Sequence, residues 1–343
     1  MARSMRIFSV YEGFFTGGAR ILHSEVLIGL QERQNQNFVL SINEVVRREA
    51  TVQRMKNDAC YRALTQTGIV VDSLRPYLKK KSNSARFTRS ELMRFEQYAQ
   101  TADVILSLKE QPLHLVNQAD TQGKPVITCL HRSDPENQGP ALKELRRAIF
   151  SGKVTACICC SQSAKEAYHA AGIPEEKLHV VTNGVDLSRF RFDPYRAAEV
   201  RRELEIPADA TVVVLAARYD AMKNVPLFLR SARLFLEKTP NARIIMCGAG
   251  MSSENPDIVR SIWEIFSNRS ELAERINLLS IRRDMEAVYS ASDIVALTSS
   301  FGETYSLALI EGMMCGAIPV TTAILDSADI LRGNGIIAES HPE

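Results

Sequence analysis

Glu303 and Glu311 are separated by seven residues in a stretch that changes from strand-like to helix-like. A strand is predicted to end near Ser299 and a helix to begin near Ser306, which suits an N-cap, so Glu303 lies in the loop and Glu311 in the helix. The helical neighbours of Glu311 are apolar, and burying an unpaired carboxylate among them costs several kcal/mol. A vicinal diol such as that of a ribose fits there, since one carboxylate accepts two hydrogen bonds side by side. An ion pair or an exposed helix face is the alternative.

Arg218 and Lys223 are two cations five positions apart, in a loop that follows an apolar strand and precedes a helix. They can converge on one diphosphate, because arginine grips oxygens in a planar fork and lysine acts as a point charge. The helix predicted to begin near Ser306 adds free N–H groups and a positive dipole that suit a phosphate. Taken alone, basic residues in a loop are more often merely solvated.

Two further candidates stand at predicted strand ends in the first half of the chain. The pair Gly17-Gly18 follows the first strand and opens a helix at Ala19 to Arg33, which lets the backbone come close to a ligand. His131 closes the apolar strand Val126 to Leu130. A lone histidine is usually structural, but this position lies on the side of the sheet where ligands bind.

Short apolar runs alternate with stretches of helical period along the whole chain, which predicts parallel sheets built from βαβ units. A pause at residues 183–207, with Asn183-Gly184 and two prolines, indicates a connector. The sequence therefore predicts an α/β protein of two doubly wound, Rossmann-like domains, 1–190 and 191–343. The predicted strands are Arg6 to Tyr11, Asn37 to Ile42, Ile69 to Ser73, Val104 to Leu108, Val126 to Leu130, Thr155 to Cys160, His179 to Thr182, Thr211 to Ala216, Arg243 to Cys247, Ile276 to Ile281, Asp293 to Thr298 and Ile318 to Thr321.

Composition excludes several classes of protein. The 343 residues carry 42 Lys+Arg against 40 Asp+Glu and are 45% hydrophobic, which rules out disorder and gives no sign of nucleic-acid binding. No apolar run approaches the roughly 20 residues of a membrane span, and no secretory signal is recognisable. A cytoplasmic location is expected. The seven cysteines are expected to be free and buried, including the CxxC spacing at Cys157 to Cys160, rather than zinc ligands.

Charge is uneven along the chain. Residues 1–190 hold 26 basic and 19 acidic side chains, whereas residues 191–343 hold 16 and 21. The segment Arg75 to Arg94 is strongly basic. It is either a solvated loop or a contact for a phosphate-bearing acceptor or for the anionic inner face of a membrane. Its cations are Arg75, Lys79, Lys80, Lys81, Arg86, Arg89 and Arg94.

These motifs together resemble the retaining glycosyltransferases of family 4, which have the GT-B fold; the resemblance implies two Rossmann-like domains facing across a cleft. Glu303 and Glu311 match the family's E-x7-E motif, and Arg218 and Lys223 match its R-x4-K motif. Residues 181–190, Val-Thr-Asn-Gly-Val-Asp-Leu-Ser-Arg-Phe, look like its V-x-N-G-V-D-x-x-x-F linker. The resemblance covers the second half well and the first half only through Gly17-Gly18 and His131. Relative to the family, the second domain ends early, and either a short protein or a truncated sequence is expected to account for this.

The resemblance implies a reaction and roles for the matching residues. A sugar would pass from a nucleoside diphosphate sugar, with retained configuration, to a hydroxyl of a glycan, a lipid-linked or a natural-product acceptor. Glu311 would hold the ribose, Glu303 and His131 would face the donor sugar, and Arg218 with Lys223 would bind the diphosphate. No cofactor beyond the donor and no nucleic acid is implied. The remaining donor-binding positions would be Gly17, Gly18, Leu279, Ile281, Arg282, Thr304, Tyr305, Ser306 and Leu307, with Leu279 to Arg282 beside the base.

Two other functions stay open at this point. Cys247-Gly248-Ala249-Gly250 follows a strand as in dinucleotide-dependent oxidoreductases, although Ser253 replaces the third glycine. A non-catalytic relative that binds a nucleotide sugar, or serves as a partner subunit, is the second alternative. The chain contains no D-x-D, which argues against a metal-dependent, single-domain glycosyltransferase, and transfer without a divalent cation is expected.

Overall fold

The computed structural model describes residues 4–15, 17–48, 51–77, 86–137, 139–324 and 326–339. The chain divides into two compact units, Met1–Thr182 and Asn183–Glu343. The division lies eight residues before the expected boundary at 190, because the linker packs with the second unit. Phe190 is buried in the core of that unit, and Asn183 donates a hydrogen bond from Nδ2 to the Tyr305 carbonyl at 2.9 Å.

The first unit is built on a parallel sheet whose strands, among the described residues, follow the order β5-β2-β1-β6-β7-β8-β9. A separate antiparallel hairpin, β3-β4, follows β2. The strands are β1 (Arg6–Gly13), β2 (Gln36–Asn43), β3 (Val45–Arg48), β4 (Thr51–Arg54), β5 (Val70–Arg75), β6 (Val104–Leu108), β7 (Val126–Leu130), β8 (Val154–Cys159) and β9 (Leu178–Val180). The helices are α1 (Gly18–Glu32), α2 (Ala59–Gln66), α3 (Arg89–Thr101), α4 (Leu113–Val116), α5 (Ala141–Phe150) and α6 (Gln162–Ala170).

Helices cover both faces of this sheet, so its central strands read as continuous apolar runs rather than as alternating ones. Alternate residues of β1 supply two cores: Phe8 and Val10 pack on one face, and Ile7 and Tyr11 pack on the other. The helix ends are set by polar caps. In α3, for example, Thr88 and Glu91 form a reciprocal capping box.

The second unit repeats the design with the strand order β12-β11-β10-β13-β14-β15. The chain runs from β10 outward to β12 on one side and then from β13 to β15 on the other. The order therefore reverses between β10 and β13, which is where doubly wound sheets bind ligands at their carboxyl edge. The strands are β10 (Val212–Ala216), β11 (Arg243–Cys247), β12 (Ile276–Leu278), β13 (Ile294–Leu297), β14 (Ile318–Thr322) and β15 (Ile336–Ala338). The helices are α7 (Pro194–Glu203), α8 (Val225–Lys238), α9 (Pro256–Phe266), α10 (Ser270–Ala273), α11 (Met285–Ser290), α12 (Leu307–Met314) and α13 (Ser327–Leu331).

The predicted fold class is confirmed, with two Rossmann-like units and a strand at or near every predicted position. The sequence missed β3, β4 and β15. All seven cysteines are free, and the cluster in and after β8 is buried as predicted. Within the described residues no helix is both long and apolar enough to cross a bilayer.

Candidate active site

The loops that follow β10 and β13 bring Lys223 and Glu303 together. The Lys223 ammonium forms an ion pair with Oε2 of Glu303, and the Ser299 hydroxyl donates to the same carboxylate oxygen at 2.9 Å. Each of the two charged side chains keeps only 14% of its surface exposed. Two motifs 80 residues apart in sequence therefore form one partly buried polar centre at the strand-order reversal.

Three hydrogen bonds join the same two loops beside this ion pair. Thr298 Oγ1 donates to the Lys223 carbonyl at 3.0 Å, and the Ser300 amide donates to the Met222 carbonyl at 2.8 Å. Asn224 Nδ2 donates to Ser300 Oγ at 2.8 Å. The backbone that carries Lys223 is thus fixed against the backbone that leads to Glu303.

Asn224 has a special role in this arrangement, which the sequence analysis did not assign. Its backbone is left-handed, with φ 46° and ψ 53°, and it ends the short 3-10 helix Ala221–Lys223 just before α8. Asparagine tolerates this conformation better than most residues. Its Oδ1 also caps α8 by accepting from the Leu227 amide at 3.3 Å. The turn after Lys223 is therefore stabilised by the backbone preference of Asn224, by its bond to Ser300 and by its cap of α8.

Arg218 lies at the start of the loop after β10 and is held by a neighbouring acid. Its Nη2 is 2.9 Å from Oδ2 of Asp220, and both side chains are partly exposed. Asp220 Oδ1 accepts from the Lys223 amide at 3.0 Å. The acid therefore orients the loop that carries both cations.

Glu311 meets a tyrosine that the sequence analysis did not consider. Tyr289, on α11 and almost fully buried, hydrogen-bonds through its hydroxyl to the Glu311 side chain on α12. Burial first, and then the charge of Glu311 and the hydrogen bond to it, raise the pKa of Tyr289 well above its ordinary value. A carboxylate has about four acceptor positions, so Glu311 retains capacity for a diol.

The amino end of α12 lies in the same loop as Glu303. Ser306 occupies the N-cap position as predicted, but its side chain makes no capping hydrogen bond. Thr304 and Ser306 are both buried, whereas Tyr305 and Leu307 are partly exposed. The Ser306 side chain therefore does not satisfy the first-turn N–H groups of α12, which are the groups that bind anions at helix ends. α12 packs so closely against β13 that a Cβ at Gly312 would lie 2.7 Å from the Val295 side chain.

The loop after β12 contains the three residues predicted beside a base. Ile281 is 56% exposed and Leu279 packs partly against the core. The guanidinium of Arg282 is engaged by two carboxylates: Nη1 lies 2.5 Å from Glu203 Oε1, and Nη2 lies 2.8 Å from Asp284 Oδ2. These pairs raise the pKa of Arg282. Its charged end thus ties this loop to α7.

The glycine-rich turn after β11 has a packing explanation that needs no dinucleotide. Gly248 has φ 138°, and a Cβ there would lie 2.0 Å from the Ala217 carbonyl oxygen. Its amide donates to the Ser280 carbonyl at 2.7 Å. Gly248 therefore lets the loops after β10, β11 and β12 approach one another.

The remaining predicted residues belong to the first unit. Gly17 is the N-cap of α1 in an extended conformation with open space around its α-carbon, and Gly18 is the exposed first residue of the helix. His131 follows β7, and desolvation foremost, then the nearby charges of Lys109 and His23, lowers the pKa of His131 to about 3. Its imidazole is therefore neutral at neutral pH. The next residue, Arg132, is neutralised by a two-pronged pair with Asp134 at 2.6 Å.

Five of the seven cations in the basic segment are either ion-paired or lie outside the described residues. Arg75 pairs with Glu91 at 2.6 Å, and Arg94 pairs with Asp72 at 2.6 Å. Arg86 and Arg89 are exposed, while Lys79, Lys80 and Lys81 lie outside the described residues. Among the described residues, no group of three or more His, Cys, Asp or Glu side chains is arranged to hold a metal ion.

Two family models match the chain. The model of the glycosyl transferases group 1 matches residues 210–343, and the model of Glycosyltransferase Family 4 matches residues 28–189. The chain belongs to the family 4 glycosyltransferases. Within them, it is 28% identical over 245 residues to the D-inositol 3-phosphate glycosyltransferase of Kineococcus radiotolerans, covering 66% of this chain and 55% of that protein. It is 30% identical over 178 residues to that of Mycobacterium bovis, covering 50% of this chain and 34% of that protein. The chain thus spans about half or less of the length of these relatives.

Solved structures confirm the GT-B fold. Anabaena Alr3699/HepE in complex with UDP and glucose matches with a TM-score of 0.79 and 21% identity, covering 98% of this chain and 86% of that one. A glycosyltransferase of Rickettsia africae matches with a TM-score of 0.75 and 17% identity, covering 98% and 85% of the two chains.

Proposed function

We propose that the protein transfers a sugar from a nucleoside diphosphate sugar to a hydroxyl acceptor with retained anomeric configuration. The observation that carries this proposal is the contact of Lys223 with Glu303 at the strand-order reversal of the second unit. The two side chains have the chemistry needed by a diphosphate and by sugar hydroxyls, and they lie where such folds bind nucleotides.

In this reaction the bond from the anomeric carbon to the β-phosphate oxygen breaks, and a bond from that carbon to the acceptor oxygen forms on the same face. The acceptor proton passes to the departing phosphate. Negative charge therefore grows on the diphosphate, and a cation about 4 Å away supplies on the order of 4 kcal/mol at an effective dielectric near 20, before desolvation. Arg218 and Lys223 are assigned this role. An ammonium has three donors, so Lys223 can contact Glu303 and a phosphate oxygen together.

The remaining assignments follow the surroundings of each residue. Glu311, with Tyr289 bonded to it, receives the ribose diol, and the amino end of α12 (Thr304 to Leu307) receives a phosphate. The exposed Ile281 and the backbone of the loop from Leu279 to Arg282 lie beside the base. In the first unit, neutral His131 hydrogen-bonds to the donor sugar, and the backbone at Gly17-Gly18 approaches the donor.

No metal or organic cofactor is assigned, because protein cations supply the positive charge at the diphosphate. Transfer should then continue in excess chelator with less than about a twofold change, unlike reactions in which Mg²⁺ bridges the phosphates. Activity that is lost with chelator and restored by magnesium or manganese would contradict this assignment.

The acceptor carries a hydroxyl, and the relatives named for D-inositol 3-phosphate make a phosphorylated cyclitol the first compound to test. We assign the protein to the cytoplasm, with a peripheral membrane contact through the exposed part of the segment Arg75 to Arg94. Arg86 and Arg89 are the described cations available for it. Flotation with anionic vesicles should then weaken in the variant Arg86→Gln/Arg89→Gln.

A thermal-shift screen of nucleotide sugars, beginning with UDP-glucose, tests the proposed function. A ligand at 100 times its Kd adds about 2.7 kcal/mol of stability. Glu311→Gln should weaken donor and free nucleotide alike, whereas Glu264→Gln, at an exposed position of α9, should change neither. Product analysis with the stabilising donor then reports transfer and anomeric configuration. Stabilisation without transfer or hydrolysis would indicate a nucleotide-sugar binder, and no stabilisation by any donor would refute the proposal.

A further inference from the structure

The hairpin β3-β4 stands at the carboxyl edge of the sheet in the first unit. It begins directly after Glu44, the residue that follows β2. The Glu44 amide donates a 2.9 Å hydrogen bond to the carbonyl of Arg75, the last residue of β5. The Met55 amide donates to the Glu44 carbonyl at 2.8 Å. The base of the hairpin is therefore fixed at the edge where doubly wound sheets bind ligands.

The register of the hairpin places two arginines on one face. Val45 pairs with Arg54 and Arg47 pairs with Val52, and directly opposed residues share a face. Arg47 and Arg54 are therefore diagonal neighbours, about 7–8 Å apart at the backbone. Val45 is buried and anchors the base, whereas Arg47, Val52 and Arg54 are exposed. Two like charges at this spacing repel each other unless an anion lies between them.

Other arginines at the same edge are neutralised by carboxylates, as Arg20 is by Asp58 and Arg132 is by Asp134. Within the described residues, Arg47 and Arg54 form no ion pair and no side-chain hydrogen bond. Two nearby acids are engaged elsewhere, since Asp58 holds Arg20 and Glu44 accepts from the Ser73 hydroxyl at 3.2 Å. Glu49 lies outside the described residues.

We propose that Arg47 and Arg54 together bind an anionic group of the acceptor, a phosphate or a carboxylate. Two guanidinium forks on one face can share the oxygens of a single such group. This inference rests on the proposed function in one respect: the donor diphosphate is assigned to Arg218 and Lys223, so the hairpin receives a second, separate anion. The proposal predicts that the acceptor is anionic, and it assigns the binding of that anion to the first unit.

Arginine side-chain NMR of the full chain, recorded with and without saturating UDP, tests the site directly. The Nε–H signals of the two arginines are assigned from the variants Arg47→Lys and Arg54→Lys. Inorganic phosphate, myo-inositol monophosphate, uncharged myo-inositol, and phosphatidylglycerol or phosphatidylcholine vesicles are then added at low salt, where screening is weak. We expect both signals to move with the anionic probes and not with the uncharged ones.

The variant Arg47→Gln/Arg54→Gln should weaken binding of the monophosphate at least about tenfold, which corresponds to loss of charge-assisted bonds. Arg33→Gln is the matched control, because Arg33 follows the last residue of α1 at the opposite edge of the sheet. Shifts with free monophosphate identify a soluble acceptor, and shifts with anionic vesicles alone identify a lipid headgroup. Signals that respond to none of the anions would overturn the proposal. Because these shifts need no turnover, a failure of donor binding or transfer would be seen separately.

Discussion

At the residue scale, Lys223 combines a catalytic assignment with a structural one. Replacing it by alanine should lower turnover by roughly 10² to 10³-fold, as loss of one preorganised charge partner does. The same change leaves the Glu303 carboxylate partly buried without its cation, which should cost about 1–3 kcal/mol of stability. Steady-state kinetics and urea unfolding measure the two effects.

Lys238→Ala, at the exposed end of α8, is the control for this substitution and should leave turnover unchanged. Glu303→Gln separates the two effects further, since the amide can still accept from Ser299 but no longer balances Lys223. Turnover of Lys223→Ala within about threefold of the parent, while the protein stays folded, would remove Lys223 from the leaving-group role.

The buried histidines of the first unit make stability depend on pH. Desolvation lowers the pKa of His23 to about 4 and that of His131 to about 3, both below the ordinary 6.5 of an unfolded chain. The unfolded state therefore binds more protons, and stability is full above pH 6.5 and falls as the pH drops toward the folded-state values. Each histidine should lower the free energy of unfolding by about 2 kcal/mol as the pH falls from 7 to 5.

Urea unfolding at several pH values checks this expectation. His23→Gln should remove about half of the decline while retaining a polar partner for Ser9, whose hydroxyl lies 3.2 Å from His23 Nε2. An exposed histidine is the appropriate comparison, and His179→Gln should leave the slope unchanged. An equally steep slope in His23→Gln would contradict the buried, neutral state of this ring.

The sequence identified residues by chemical type but could not predict which partners they meet. Glu311 was expected to meet something polar, and it meets Tyr289, which lies 22 positions earlier on another helix. No spacing rule connects these positions, because their contact depends on how α11 and α12 pack. Arg282 was expected beside a base, and the sequence could not show that its guanidinium pairs with Glu203 of α7 and with Asp284.

At the element scale, Asn224 tests how the turn after Lys223 supports the site. Asn224→Ala loses the cap of α8 and the bond to Ser300, and it places an alanine in a left-handed conformation, so we expect a loss of about 2 kcal/mol or more. Asn224→Gly tolerates that conformation and should lose well under half as much. Urea unfolding measures both changes.

Turnover should fall in both variants while the KM for the donor changes less. Both variants lose the Asn224–Ser300 hydrogen bond between the loops that carry Lys223 and Glu303. Ser300→Ala removes the acceptor of the same hydrogen bond. Its effect on turnover should not add to that of Asn224→Gly. Additive effects would mean that the bond between Asn224 and Ser300 does not position Lys223.

The elements that the sequence missed share a physical cause. β15 has three residues and lies at the edge of its sheet, with Ile336 57% exposed, so it lacks the long apolar run of a buried strand. β3 (Val-Val-Arg-Arg) and β4 (Thr-Val-Gln-Arg) are four residues each, contain arginines and pair locally, so they also lack a long apolar run. β12 ends at Leu278, before the predicted Ile281, because Ser280 takes a positive φ of 52° that breaks the strand.

At the scale of the whole molecule, charge and function divide in the same way. The basic first half contains the hairpin with Arg47 and Arg54 and the exposed Arg86 and Arg89. The acidic second half contains Glu303 and the other residues assigned to the nucleotide. The alternation of strands and helices predicted two units, but the boundary was placed at 190 because the sequence could not show that Phe190 is buried in the second core.

The second unit should bind a nucleotide without the first. Residues 183–343 have their own sheet and their own buried clusters, built around Val214 and Ile245 on one face and Leu215 and Ile244 on the other. Domains with a complete core generally fold alone. We therefore expect the fragment 183–343 to unfold cooperatively and to bind UDP with a Kd within about tenfold of that of the whole chain, as expected when the main binding residues are retained.

Calorimetry with UDP, and unfolding followed by circular dichroism, measure these properties. The fragment should transfer no sugar, since His131 and the hairpin arginines are absent from it. The same fragment carrying Glu311→Gln is the binding control and should lose UDP affinity as the whole chain does. A fragment that folds cooperatively yet binds no UDP, while the whole chain binds it, would place essential nucleotide contacts in residues 1–182 and contradict the division of roles proposed for the two units.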